Sequence, residues 1–560
     1  MEQQRTLLLI ALFVVLFLIW NAWQRDYIEP KSTVITSQNK PSTPSFTARK
    51  NNEVPVASNL SAPPGHTEVP AASQVKMASS KRVHVKTDFL DVELDTHGGD
   101  VRQVGLLKYP ASSAVKNKPM MLMDDQPPYL FIAQDGFAGK KQVGSNVLSE
   151  APNHNTIYQI ADADYVLSRD ENELVVPFTW TSPQGVKFIK RYRFKRGKYL
   201  INVEHEIQNP TDKTWQGNLY QQFQRMPIPK KDQQRFIHTY TGGVIYSNQH
   251  KYEKIKFDKM KKENLSREIK GGWAAMIQHY FLGAWIPNKA ENFHYYSRVF
   301  DKDRYVIGMT SPTYHVAAGQ TKFLESELYV GPKLQTHLES IAPGLELTVD
   351  YGILTVIAKP IFWLLRTIHS FVGNWGWSII FLTLTIKLAF YKLSETSYKS
   401  MANMRRMQPR MKALKERYGD DRAQMNKALM ELYKKEKINP LGGCLPIVVQ
   451  IPVFISLYWV LLDSVELRQA PFILWIHDMS TPDPYFILPI LMGVTMLIQQ
   501  RLNPTPLDAI QAKLMMVLPF AFGIFFSFFP AGLVLYWVVN NTLSISQQWY
   551  ITRVVIGKDK

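Results

Sequence analysis

Five long apolar runs after residue 370 constrain the fold of this 560-residue chain more than any other feature. A bilayer core of ~30 Å is crossed by ~20 apolar residues in a helix, and lipid offers no partners for unpaired backbone groups. The third and fourth runs are short, which predicts a locally thinned bilayer or exposure to a watery cavity. The predicted spans are Trp375 to about Tyr391, Leu441 to about Leu462, Tyr485 to about Gln500, Leu514 to Phe529, and Ala531 to about Tyr550.

Another apolar segment, Thr6 to Gln24, carries no charge and is either a cleaved signal peptide or an uncleaved anchor. No small-residue cleavage site follows it, so residues 1–26 are predicted to form a transmembrane anchor and the sixth span. Residues 27–80 are rich in Pro, Ser, Thr, Asn and Gln, and such a composition buries too little apolar surface to fold. They are predicted to form a flexible linker.

Residues 81–350 alternate between apolar and polar side chains, which is typical of half-buried strands. One run ends at Lys195, and the same alternation resumes after Gly197, so the two runs predict an antiparallel hairpin within an all-β sandwich. The apolar face comprises Val186, Phe188, Tyr192 and Phe194 in the first run, and Tyr199, Ile201, Val203 and Ile207 in the second.

Metal or catalytic chemistry has no clear motif in this region. His84, His97, His205 and His238 lack metal-ligand spacing and are predicted to be ordinary surface or core histidines. No phosphate loop or catalytic triad occurs, so the chain is predicted to be a non-enzyme without cofactor or metal. A sugar-binding cleft on the sandwich stays open, although no motif supports it.

Residues 359–372 mix apolar side chains with Lys359, Arg366 and His369. The segment is too short and too charged to span a bilayer, so it predicts an amphipathic helix at the interface. A juxtamembrane linker is the alternative.

The distribution of charged residues predicts how the chain is oriented in the membrane. Residues 351–560 carry 22 Lys and Arg against 12 Asp and Glu, a net +10 of the chain's +18, and 12 of those cations lie in 399–437. The positive-inside rule places that loop and the C-terminus in the cytoplasm and the β domain outside. Anionic phospholipids are the predicted partner of this charge, with ribosomal RNA as a second partner.

The basic loop is patterned as a helical hairpin over residues 398–438. Apolar residues from Met404 to Tyr418 recur every three or four positions, and Gly419 begins a turn before a second helix. Pro409 lies within the first helix and predicts a bend. The alternative is a solvated hairpin that packs only on itself. Its predicted functional cations are Arg405, Arg406, Arg410, Lys412, Lys415 and Arg417.

Polar side chains inside the predicted spans give the sharpest functional signal. Lys387 follows Thr383 on one face of one span, and a charge at this depth is costly and indicates function. Alternatively, Lys387 snorkels to the inner interface, and the other polar groups only join helices. The sequence predicts a shared hydrophilic groove with one unbalanced cation, lined by Lys387, Thr383, Gln450, Thr495, Gln499, Trp537, Asn541, Ser544 and Gln548.

Four phrases show that the sequence resembles the YidC family of membrane insertases: NWGWSII at 374–380, NPLGGCLP at 439–446, SVELRQAPF at 464–472 and FPAGLVLYW at 529–537. The resemblance implies an all-β supersandwich of the sugar-mutarotase type in the periplasm, and a five-span core over 373–560 in the bacterial inner membrane. It also implies that Lys387 replaces a groove arginine, which keeps the charge but not the planar fork. The family's groove positions match Thr383, Gln450 and Trp537.

The implied function is the insertion and folding of nascent membrane proteins, alone or with the Sec translocon, and with ribosome–nascent chain complexes as partners. The rival interpretations are a polytopic channel or transporter, a membrane enzyme that uses His477 and Asp478, and an envelope scaffold. Cys444 is the single cysteine, so no disulfide forms within the chain, and a small buried apolar role is expected.

Overall fold

The computed structural model describes residues 77–112, 115, 117–139, 147–229, 232, 239–300, 303–419, 421–436, 445–503 and 509–555. The predicted anchor, nearly all of the predicted linker, His238 and Cys444 lie outside these residues.

Strands dominate the chain from residue 82 to residue 332. They are β1 (Arg82–Lys86), β2 (Leu90–Asp95), β3 (Asp100–Pro110), β4 (Pro119–Met123), β5 (Phe131–Ala138), β6 (Val147–Leu148), β7 (Asp164–Val166), β8 (Glu173–Thr181), β9 (Lys187–Lys195), β10 (Leu200–Gln208), β11 (Thr214–Arg225), β12 (Gly242–Ser247), β13 (Lys251–Ile255), β14 (Ser266–Lys270), β15 (Trp273–Ile277), β16 (Phe281–Ile286), β17 (Asn292–Phe300), β18 (Arg304–Thr310), β19 (Tyr314–Val316) and β20 (Thr321–Pro332).

These strands form two sheets. The first has the order β14-β17-β18-β11-β5-β3-β2-β1-β7, with β6 and β19 paired to β11 and β4 paired to β3. The second has the order β13-β12-β15-β16-β20-β10-β9-β8. Phe223 of the first sheet and Trp285 of the second lie 6.2 Å apart between ring centroids, and both are buried. The core therefore lies between the sheets, and the prediction of a large β-sandwich is confirmed.

The predicted hairpin is also confirmed. Strands β9 and β10 pair antiparallel with Phe194 opposite Ile201. The alternating apolar residues are buried, but Lys190 and His205 lie directly opposite each other on the same buried face. The sequence pattern did not predict Lys190 on this face, and a charge is rarely buried without a partner.

The remaining chain is mostly helical. Two short helices, α1 (Phe257–Lys262) and α2 (Gln335–Ile341), precede the helical half. The helical half comprises α3 (Thr355–Val372), α4 (Trp375–Ala389), α5 (Tyr391–Arg406), α6 (Gln408–Tyr418), α7 (Arg422–Lys435), α8 (Leu445–Asp463), α9 (Ile487–Leu502), α10 (Ala509–Phe526) and α11 (Ala531–Tyr550).

The prediction of six single-helix spans is not confirmed. Among the residues that the structure describes, no one helix has both the length and the apolar character needed to cross a bilayer. The pair α4 and α5 meets that test together, but the two helices are bent by 69° at their junction.

The interfacial segment is longer than the sequence predicted, because α3 begins at Thr355 and not at residue 359. It buries Ala358, Ile361, Phe362 and Leu365 against α4 and α8. On the opposite side Phe371 is 86% exposed. An apolar side chain left open in this way suits contact with lipid, so the interfacial location stays a prediction.

The expected bend at Pro409 is a complete break. Helix α5 ends at Arg406, and α6 begins at Gln408 with the proline in its first turn. A proline is tolerated there because the first turn has no acceptor for the missing N–H group.

Candidate functional site

Lys387 lies in the last turn of α4, a helix that begins where the Asn374 side chain accepts a hydrogen bond from the Trp377 amide. Its ammonium donates to the Ser544 hydroxyl of α11 at 2.8 Å, and its side chain is buried. The Ser544 hydroxyl in turn donates to the Asn540 carbonyl at 2.7 Å. The buried cation is thus held by a neutral chain of hydrogen bonds.

No carboxylate balances this charge within the described residues. Lys392 and Lys399 both contact Glu395, whereas Lys387 makes no ion pair there. The ammonium of Lys387 points to the neighbouring helix α11, which does not favour the alternative of snorkelling to the inner interface. Its side chain is only 8% exposed, and a watery groove around it stays a prediction.

Thr383 lies one turn before Lys387 and is buried. Its hydroxyl donates to the Ile379 carbonyl at 2.6 Å, within its own helix. The hydroxyl proton is therefore used within the helix. The hydroxyl oxygen can still accept a hydrogen bond from another group.

The polar stripe of α11 also contacts α9. The Asn541 amide donates to the Thr495 hydroxyl at 3.3 Å. The Gln548 amide donates to the side chain of Asn503 at 3.1 Å and to the Leu502 carbonyl at 3.3 Å. The stripe therefore joins α11 to α4 on one side and to α9 on the other.

Three other predicted groove residues differ from this pattern. Gln450 and Gln499 are half-buried, and no side-chain hydrogen bond to another described residue is seen for either. Trp537 lies among aromatic rings, 4.7 Å from Phe454 and 5.5 Å from Phe526 between centroids. The indole is thus part of an apolar wall as much as of a polar stripe.

Unpartnered polar atoms mark the same region. Three side-chain atoms are buried without a hydrogen-bond partner in the described chain: the indole nitrogen of Trp537, Oδ1 of Asn540 and Oε1 of Gln548. Buried polar groups are normally satisfied, so these atoms indicate a place for water or for a polar segment of another molecule. Asn540 was missed by the sequence analysis, although it adjoins Asn541.

The comparisons with known proteins match both halves of the chain. Residues 82–364 match a family model described as the YidC periplasmic domain, and residues 367–558 match one described as 60Kd inner membrane protein. A protein named membrane protein insertase YidC from Methylococcus capsulatus is 51% identical over 96% of this chain and 95% of its own length. This chain belongs to the YidC family.

Other relatives of the same name agree. The protein from Thioalkalivibrio sulfidiphilus is 50% identical over 99% of this chain and 98% of its own length, and that from Pseudomonas aeruginosa is 47% identical over 99% of both. A solved structure of an active YidC insertase aligns at 17% identity and a TM-score of 0.38, over 85% of this chain and 93% of that one. The two family models and these relatives make this YidC-family chain an inner membrane protein with a periplasmic domain.

Two aspartates stabilise the segment between α8 and α9 of this YidC-family chain by accepting hydrogen bonds within it. Asp483 accepts from the Leu488 amide at 2.8 Å and from the Trp475 indole at 2.9 Å. Asp478 accepts from the backbone amides of Gln469 and Ser480. Asp478 therefore stabilises a turn, whereas His477, the other residue considered for an enzyme, is exposed.

The basic helix pair has the geometry of an antiparallel hairpin. Arg410 near the start of α6 contacts Glu436 just after α7 at 2.6 Å, while Met407 and Met411 are buried. The six predicted cations, which are Arg405, Arg406, Arg410, Lys412, Lys415 and Arg417, are all exposed. They give this hairpin a positively charged surface.

Within the described ranges, no group of three or more His, Cys, Asp or Glu residues could hold a metal ion. His205 instead hydrogen-bonds Asp135 at 2.6 Å inside the sandwich, and His84 contacts Asp91 at 2.6 Å.

The periplasmic domain contacts the helical half directly. His279 hydrogen-bonds the Leu462 carbonyl at 3.0 Å at the end of α8. Arg468, in the segment between α8 and α9, donates to the Pro110 carbonyl at 2.8 Å and to the Ala111 carbonyl at 3.1 Å. We call this contact region the domain seam.

Proposed function

We propose that this chain is a membrane protein insertase that inserts and folds integral membrane proteins in the bacterial inner membrane, without chemical catalysis. The observation that carries the proposal is the buried Lys387 ammonium, which has a hydroxyl partner and no described counter-ion. An incoming carboxylate meets an uncompensated cation in surroundings of low dielectric. At 4 Å and an effective dielectric constant of 20, that attraction is about 4 kcal/mol.

The proposed mechanism balances the cost of dehydrating the substrate's polar segment against the gain from burying its apolar helix in lipid. The hydrophilic outer segment of a substrate enters from the cytoplasm, and the polar stripe of α11 replaces part of its lost hydration. Lys387 attracts acidic residues in that segment. Burial of the substrate's apolar helix in lipid then drives release, so no nucleotide is needed.

The proposed topology places the basic hairpin and the C-terminus in the cytoplasm and α3 at the outer interface. Six membrane-crossing segments, some of them short or bent, complete the arrangement. Nascent membrane proteins are the proposed substrates, and the Sec translocon, ribosomes and anionic phospholipids are proposed partners. The exposed cations of the hairpin suit the last two, because their surfaces are anionic.

Insertion into proteoliposomes tests the charge role. Two single-span substrates that differ only in an acidic or an uncharged outer tail are presented to the wild type and to Lys387→Met, which keeps the aliphatic stem. We expect Lys387→Met to insert the acidic-tailed substrate at least tenfold more slowly and the uncharged one less than threefold more slowly. Lys392→Met is the matched control, because the Lys392 side chain is 92% exposed. Equal insertion of the acidic substrate by Lys387→Met and the wild type rejects the charge role.

A further inference from the structure

A cavity of about 410 Å³ lies at the domain seam. Its walls include the thioethers of Met120, Met121 and Met226 and the rings of Phe131 and Phe281. Small-molecule sites typically occupy roughly 300–1,000 Å³ and are mostly apolar with a few placed polar groups. Methionine side chains adapt to flexible apolar partners, so the walls suit an aliphatic chain.

Two guanidinium groups line the same cavity, and they come from different halves of the chain. Arg225 ends strand β11 of the periplasmic domain, while Arg468 belongs to the segment between α8 and α9. Arg225 lies over the Phe131 ring at 4.7 Å, and Arg468 lies over the Phe281 ring at 5.5 Å. The site is therefore complete only when the two halves are in contact.

Neither guanidinium has a carboxylate partner among the described residues. Arg225 donates to the Gln278 side-chain oxygen at 2.6 Å and to the Ile277 carbonyl at 3.4 Å. Burial lowers the pKa of Arg225 to about 10, with no nearby acid to offset it. Among the described residues, Nη2 of Arg468 donates to two backbone carbonyls, and its Nη1 is buried without a hydrogen-bond partner. Arg468 is half-buried and is attracted by Asp478, whereas Arg225 is buried. A buried cation without a counter-ion is costly, so an anion supplied from outside would relieve the cost at Arg225.

The other charged or ionisable groups of the lining do not remove this excess. The Asp124 carboxylate accepts from the Gln126 amide at 3.0 Å and from the Gln103 side chain at 3.3 Å. His279 is neutral, because burial lowers its pKa to about 4. The lining thus carries two cations and one anion.

The polar groups left over favour an anionic head over a peptide. Guanidinium groups only donate hydrogen bonds, whereas a peptide backbone also needs acceptors along its length. Among the acceptors of this lining, Oδ1 of Asp124 and the side-chain oxygen of Gln278 already have partners, and the Tyr129 hydroxyl is bound to Asp232. Most of the remaining wall is thioether, methyl and aromatic surface, with the Tyr129 and Tyr280 rings and their hydroxyls among it.

We propose that the domain seam holds a binding site for a single aliphatic chain with an anionic head, either a carboxylate or a phosphate. The head pairs with Arg225 and Arg468, and the chain lies against the methionines and aromatic rings. Fatty acids and one-chain phospholipids share this chemistry. The ligand would join the periplasmic domain to the segment after α8, a role separate from that of the groove.

Photocrosslinking tests the site in the full chain, held in nanodiscs of zwitterionic phosphatidylcholine. The probes are a twelve-carbon fatty acid, the lysophosphatidic acid of the same chain and the uncharged fatty amide, each with a diazirine near the chain end. We expect one or both anionic probes to label peptides containing 120–131, 226–228 or 278–281 at least tenfold more than the amide. The probe that labels identifies carboxylate or phosphate as the preferred head.

Arg225→Gln and Arg468→Gln should each reduce this labelling at least tenfold, while the exposed Arg169→Gln should not change it. Because Arg225 is buried, its variant is judged only if it elutes as the wild type does, and Arg468→Gln otherwise decides alone. The proposal is overturned if the amide labels the same peptides equally, if no probe labels them, or if Arg468→Gln labels like the wild type.

Discussion

The Lys387 ammonium on α4 and the Ser544 hydroxyl on α11 are joined by a 2.8 Å hydrogen bond between residues 157 positions apart. A hydroxyl is an unusual single partner for a buried ammonium, because it satisfies one of three donors and none of the charge. Two functions of Lys387 can therefore be separated by experiment: it fixes α11 against α4, and it supplies a positive charge to a substrate.

Ser544→Ala separates them. The variant removes the acceptor but leaves the cation, so we expect acidic-tailed substrates to insert within threefold of the wild-type rate. A neutral hydrogen bond contributes about 1 kcal/mol to stability, and a small decrease in thermal stability is expected. The measurement is insertion in proteoliposomes with a parallel melting curve. If Ser544→Ala is as defective as Lys387→Met, the hydrogen bond and not the charge is what matters.

Gly376 is expected to be intolerant of any side chain. A Cβ atom there would overlap the Phe472 ring, which belongs to the segment between α8 and α9. Gly376→Ala should therefore lower the melting temperature by several degrees, since overpacking costs typically 1–3 kcal/mol. A Cβ at Gly493 would make ordinary contact at 3.5 Å, so Gly493→Ala is the control.

A second substitution tests whether the Phe472 ring causes the destabilisation by Gly376→Ala. Phe472→Ala opens space at that position, so Gly376→Ala combined with Phe472→Ala should be less unstable than the sum of the two single variants. Strict additivity in thermal melts of the purified proteins would show that the ring is not what excludes the side chain.

Lys190 is expected to be essential for the stability of the periplasmic domain. It is buried between the sheets and forms an ion pair with Asp135, which also accepts from His205. Lys190→Met leaves a buried carboxylate without its main counter-ion and should cost about 3–5 kcal/mol. Urea unfolding followed by tryptophan fluorescence measures this, with the half-buried Lys187→Met on the opposite strand face as control. A loss below 1 kcal/mol contradicts the role assigned to the pair.

The pH dependence of the same domain should reflect Asp100. Burial raises the pKa of Asp100 to about 7, although Arg102 and Lys190 attract the charged form. The folded state therefore binds the proton more tightly than the unfolded state, whose pKa is near 3.8. This carboxyl group contributes stability that is present below pH ~4 and is lost as the pH rises to ~7.

Asp100→Asn should remove that loss, because the amide never ionises. Relative to the wild type, the variant should gain thermal stability progressively between pH 4 and pH 7, by a few kcal/mol at most. Melting curves across this range give the difference directly. A constant difference between the two proteins would mean that Asp100 does not titrate there.

Local periodicity made much of the fold predictable. The alternation from residue 186 to residue 208 predicted the β9–β10 hairpin, because a strand places successive side chains on opposite faces. The last predicted helix began and ended where α11 does, since Pro530 precedes it and its polar stripe recurs at helical spacing. Length and apolar character alone did not reveal the 69° bend between α4 and α5, which depends on the contacts of both helices.

The sequence by itself determined the β domain, the helical half and the candidates for the groove, because periodicity and composition are local properties. Only the tertiary structure decided which of those candidates meet. It paired Lys387 with Ser544, placed Trp537 among aromatic rings and brought Arg468 to the cavity that Arg225 lines. These contacts join residues far apart in the chain, and their energies depend on burial and on neighbouring charges that no local pattern records.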